Sequence, residues 1–180
     1  MPKPFRWFIK KKLLLEDKTI KEISNSYLEK AKNNLITMEL LGKATNHKDI
    51  LELPDDYDSN EWIVIVAYYS MYMSALSVLA KLGYKSKNHS ATIIALEEFF
   101  IKKKLLKEEY LKLLEKIKIK KEEIEELNKV KNRREIAQYS VTKETAENIA
   151  KETKEDAHKF VDKMEELLDL LGKTNTENKE

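Results

Sequence analysis

"WIVIVAYYSMYMSALSVLA", from Trp62 to Ala80, is the longest apolar run in the chain. As a helix it is about long enough to cross a bilayer. It nevertheless carries three tyrosines and three serines, is bounded by Glu61 and Lys81, and has no counterpart elsewhere in the sequence. A lone helix that is apolar on most sides and dotted with hydroxyls reads as the central buried helix of a bundle, not a span. It is expected from about Ser59 to Leu82. Gly83 ends it, because glycine takes the left-handed conformation that closes helices.

Working outward, the flanking segments keep a helical period. Upstream, Ile20, Ile23, Tyr27, Ala31, Leu35, Met38 and Leu41 recur every three or four residues. Thr19 and Glu22 have capping-box spacing, and Gly42 lies near the expected end of this first helix. "HKDILELPDDYDSN", 47–60, is polar, contains Pro54 and reads as a loop. Downstream, "YKSKNHS" reads as a tight basic connection. Further helices are expected over about 90–103, 107–138 and 142–172, the last with Ile149, Ala157, Phe160, Met164 and Leu168 on one face. No segment shows strand alternation. The chain is therefore expected to be all-α, a five-helix up-and-down bundle over 19–172. A basic aromatic arm, 1–18, precedes it, and a polar flexible tail, 173–180, follows.

Composition narrows the function classes. Three Gly and three Pro in 180 residues leave little turn chemistry. The absence of Cys excludes disulfides, thiolate metal sites and a thiol nucleophile, and fits a reducing, cytoplasmic setting. Lys10 to Lys12 break the N-terminal apolar residues into pieces too short for a secretion signal. Net charge is only +2, so affinity for nucleic acid must come from clusters. Two stand out. Residues 101–121 hold nine Lys against three Glu. The arm places Lys3, Arg6, Lys10, Lys11 and Lys12 before its first acid, interleaved with Phe5, Trp7 and Phe8. Such an arm can contact phosphates and stack on unpaired bases. It can equally cap the bundle with its aromatics and leave its lysines solvated.

Catalytic constellations are sparse. The three histidines, 47, 89 and 158, form no i, i+4 ligand pair, and there is no glycine-rich phosphate loop. "DDYD", 55–58, reads as a solvated turn whose acids complement the next helix dipole. No metal or cofactor is expected. His89, beside Lys85, Lys87 and Ser90, fits a structural histidine at a helix start or a phosphate contact.

Two stretches, "VAYYSMYMSALSVLAKLGYKSKNHSATIIALEEFF" and "NRREIAQYSVTKETAENIAKETKEDAHKFV", together resemble the HEPN family of small helical proteins in archaea and bacteria. Tyr68, Tyr69, Met71, Ala75, Gly83, Lys87, His89, Phe99, Arg134, Ala137 and Tyr139 carry the likeness, which spans about 27–171. The resemblance implies a helical bundle, a homodimer and a minimal nucleotidyltransferase as partner. Active relatives resemble metal-independent ribonucleases. In these an Arg is followed four to six residues later by a His, and the two subunits face their motifs across the dimer.

Here the pattern departs from the family. Arg134 is followed five residues on by Tyr139, and no His lies between 90 and 157. A phenol ordinarily ionises near pH 10 and is a poor base at neutral pH. The anion-binding half of the motif, Arg133 and Arg134, is present without its proton-transfer half. The expected function is RNA or nucleotide binding with weak or absent catalysis, beside a nucleotidyltransferase. A ribonuclease toxin of a toxin–antitoxin pair and a scaffold subunit remain the alternatives. The expected contacts are Arg133, Arg134, Lys87, His89, Arg6, Lys10, Lys11 and Lys12, with Arg134 and Tyr139 as the degenerate catalytic pair.

Overall fold

A computed structural model describes the backbone of residues 3–131 and 140–177, and the side chains of 3–122 and 147–173. The elements run α1 (Phe5–Lys10), β1 (Leu14–Glu16), a 3-10 turn (Lys18–Ile23), α2 (Ser24–Asn46), α3 (Asn60–Leu82), β2 (Tyr84–Ser86), α4 (His89–Leu96), a π turn (Glu97–Ile101), α5 (Glu108–Lys131) and α6 (Ser140–Glu177). The fold is all-α, a helical bundle.

α3 is the core helix that its composition implies. Ile63, Val64, Ala67, Met71, Ala75, Val78 and Leu79 are buried against α2 and α6. It is long and apolar enough to cross a membrane, but 67% of its most apolar window is buried inside the bundle. The serines explain themselves. Ser70 donates to the Ala31 carbonyl at 2.7 Å, and Ser74 and Ser77 donate back to Met71 and Ser74 carbonyls at 2.9 and 2.6 Å. Ser24, at the start of α2, donates to the Ser77 carbonyl at 3.0 Å. Small hydroxyls thus bring the α2 backbone against α3 with no polar cost. Met38, Leu114, Phe160 and Met164 complete the core from α2, α5 and α6.

Several boundaries differ from expectation. The chain does contain strands: β1 and β2 pair antiparallel, with Leu14 opposite Ser86, Leu15 opposite Lys85 and Glu16 opposite Tyr84. At three residues each, they are too short to display an alternating pattern. The first helix begins at Ser24. The turn before it is capped by Asp17, whose carboxylate accepts from the Thr19 amide at 3.0 Å, in place of the Thr19–Glu22 box. α2 passes through Gly42, and α6 passes through Gly172, so neither glycine ends its helix. The third helix is α for only eight residues before it widens into the π turn. The N-terminal segment folds. Phe8 and Leu14 are buried in the common core, and Phe5 packs edge-on against Phe99 and Tyr84.

The loop before α3 is a capping device. Asp58 accepts from the Asn60 amide at 2.8 Å, and Ser59 donates to the Leu41 carbonyl at 2.8 Å. At the other end Gly83 sits at φ 86° and turns the chain from α3 straight into β2. A Cβ there would meet Lys21 Cε at 3.1 Å in a backbone conformation costly for L side chains. Gly83→Ala is expected to destabilise the protein by about 1–2 kcal/mol, read as a lower urea midpoint at unchanged slope.

Candidate nucleic-acid interface

The short ribbon brings together basic residues distant in sequence. The Lys87 amide donates to the Leu13 carbonyl at 2.9 Å, and the Asp17 amide donates to the Gly83 carbonyl at 2.8 Å. Lys85 lies on β2, and Lys87 follows just past its end, where it still bonds to the segment leading into β1. Lys10, Lys11 and Lys12 occupy the corner where α1 runs into β1, with Lys12 in the left-handed region at φ 55°. All five are exposed. Arg6, on α1, is exposed as well. Lys85, a neighbour of His89 in the sequence, was not among the expected contacts. The signal was the "KSK" spacing, which gains meaning only once the segment is known to pair with β1.

The lysines of 101–121 behave differently. Lys116 and Lys120 both reach Glu152 on α6, at 2.6 and 2.9 Å, and hold its carboxyl down to about pKa 2. Lys159 reaches back to Glu109 at 3.6 Å, and Lys102 pairs with Glu98. Two lysines of this basic stretch, Lys116 and Lys120, are therefore the lysine half of an α5–α6 contact, while Lys102 and Lys118 pair with acids one turn away.

His89 is the first residue of α4, where Asn88 caps the helix by accepting from the Ala91 amide at 2.8 Å. Its ring lies near-parallel to Tyr68 and Tyr72 of α3, with centroids 6.1 Å from each. Burial raises the Tyr72 pKa, and Thr92 nearby opposes the shift. Both His89 ring nitrogens are covered and have no hydrogen-bond partner. Burial, helped by Lys118 and opposed by Glu122, lowers the His89 pKa to about 4. The imidazole is therefore neutral at pH 7, and as it stands makes no charged contact with phosphate. Lys121 crosses the same cluster, 5.2 Å from the Tyr68 ring and 5.6 Å from Tyr69.

Arg133, Arg134 and Tyr139 lie outside the described residues. α5 ends in the description at Lys131, about 20 Å along the helix from Lys118. His89, which packs near Lys118, is thus far from the point where α5 leads into that motif. The structure groups Lys87 and His89 with the N-terminal lysines. Among the described residues no three His, Asp or Glu side chains converge to hold a metal.

The chain belongs to the HEPN domain family, whose model matches residues 24–174. No curated protein and no solved structure matches it. The matched span begins at α2, so α1 and β1, with Arg6 and Lys10 to Lys12, precede it.

The pKa of His89 fixes a pH dependence. Unfolded, the imidazole takes a proton near pH 6.5; folded, near 4. Between those values the unfolded state binds more protons, so stability falls as pH drops from about 6.5 to about 4. The full effect is roughly 3 kcal/mol. His89→Phe keeps a ring against Tyr68 and Tyr72 and removes the titration. Urea denaturation at pH 7, 5 and 4 should show a markedly shallower loss in this variant than in the wild type.

Proposed function

We propose that this HEPN protein binds single-stranded RNA, with the β1–β2 ribbon as its phosphate-contacting surface. The observation that carries this reading is the pairing that sets Lys10, Lys11 and Lys12 beside Lys85 and Lys87, five exposed cations from two distant segments. Arg133 and Arg134 supply a second anion contact. With Tyr139 at the position where active relatives carry a histidine, cleavage is weak or absent. A minimal nucleotidyltransferase is its partner, in the cytoplasm. The chain acts as a homodimer. Supporting this, Trp62 and Tyr69, two turns apart on one face of α3, are 60% and 41% exposed, with half-buried Val66 and Met73 on the same face. A two-fold contact would bury that apolar stripe on both copies at once.

Binding should be salt-dependent, since each phosphate contact releases counterions. Lys11→Ala combined with Lys87→Ala should lower the slope of log affinity against log salt by about 1.4 and weaken binding at low salt. Lys103→Ala with Lys104→Ala, remote in sequence from both halves of the ribbon, should leave the slope unchanged. Equal slopes for all three proteins would remove the ribbon from the interface. Light scattering should give twice 21.2 kDa for the wild type and a single copy for Trp62→Lys. A monomeric wild type would contradict the dimer.

A further inference from the structure

Beside the ribbon lies a cavity of about 520 Å³ between α1, α4 and α5. Phe8, His89, Ile93 and Ile119 line it together with Lys3, Glu115 and Lys118, and Lys118 also pairs with Glu122 at 3.2 Å. Its position follows from the chain path. Phe8 is two residues before Lys10, and His89 is two residues after Lys87, so the two walls continue directly into the two halves of the basic surface. Lys3 and Phe8 also precede residue 24, where the family match begins, so the cavity is built in part from this chain's own N-terminal segment.

We propose that this cavity receives one unpaired base of the RNA strand whose phosphates lie on the ribbon. The inference rests on the RNA-binding reading above. Phosphate contacts hold a strand without regard to its bases, and a single strand gains further affinity where a base leaves water for an aromatic or apolar surface. The cavity offers such a surface, and Lys3 in its lining supplies an ammonium group for the phosphate flanking that base. Its volume falls within the range of small-ligand sites and holds a base with its ribose.

His89 supplies the polar element. Its two ring nitrogens are covered and unpartnered, an arrangement that costs stability when nothing satisfies them. A neutral imidazole carries one donor and one acceptor. A modest rotation of the ring toward the cavity it lines presents both to the edge of a base, which also carries donors and acceptors. The ring can make this contact without gaining charge, so base recognition at this point is separate from the salt-sensitive grip of the lysines.

The test compares a single-stranded RNA octamer with an abasic octamer of the same phosphates, both titrated by fluorescence anisotropy at one salt concentration. The wild type should bind the base-containing strand about 10-fold more tightly. His89→Leu and Ile119→Ser change no charge, and Ile119 is 54% exposed, so its replacement leaves the core intact. Each should cut the preference to less than about 3-fold while leaving affinity for the abasic strand unchanged. Lys11→Ala should weaken both strands equally. Equal wild-type affinity for the two strands overturns the base site and leaves the ribbon standing. A preference that survives undiminished in both variants also overturns it. Failure to bind either strand overturns the RNA reading and the base site together.

Discussion

Gly83 is the constraint from which the basic surface follows. At φ 86° it ends the core helix and reverses the chain within one residue, with its amide on the Ala80 carbonyl and its own carbonyl accepting from Asp17. That second bond, with the Lys87–Leu13 bond a few residues on, stitches the N-terminal segment to the chain leaving α3. Without the tight reversal, β2 would not lie where β1 can pair with it. Lys10 to Lys12 would then be a tail and Lys85 and Lys87 a loop. Burial of Phe8 and Leu14 in the shared core holds the same arrangement from the other side.

The two basic clusters of the sequence have different fates for an electrostatic reason. On α5, Lys116 and Lys120 face a carboxylate across the helix pair, and Glu152 holds its charge far into acid because both ammonium groups surround it. Those charges are already answered within the fold. On the ribbon a leucine lies opposite Lys85, and Lys85 is near enough to Asp17 to help lower its carboxyl pKa, so the ribbon charge is answered only in part within the fold. A net charge of +2 thus conceals a surface whose local field is much more positive.

Much of this was legible beforehand, and what was not has identifiable causes. The helical period of Trp62–Ala80 and of Phe160–Leu168 comes from sustained apolar faces, and these are the helices that form the core. Gly83 could be read as a terminator because the sequence after it breaks the period. Gly42 and Gly172 could not be separated from it by residue type alone. Gly42 stays helical, with the Lys154 ammonium filling the space beside it, and a Cβ at Gly172 would meet open space. The strands escaped notice because three residues carry no periodicity. Their pairing depends on a tertiary contact between segments nearly 70 residues apart. For the site, Lys10, Lys11 and Lys12 were named from charge and Lys87 from the family pattern around His89. Their proximity, the part played by Lys85 and the neutrality of His89 depend on that same contact and on burial against Tyr68 and Tyr72.

The central claim is that two separate basic segments act as one RNA surface because the ribbon joins them. Lysine acylation read by mass spectrometry, with and without a saturating single-stranded RNA, tests it most directly. The account predicts that Lys10, Lys11, Lys12, Lys85 and Lys87 become protected together as RNA is added, with a common midpoint, while Lys103 and Lys104 stay reactive. Protection confined to one of the two segments, or found on Lys103 and Lys104 with the ribbon lysines unchanged, would contradict it.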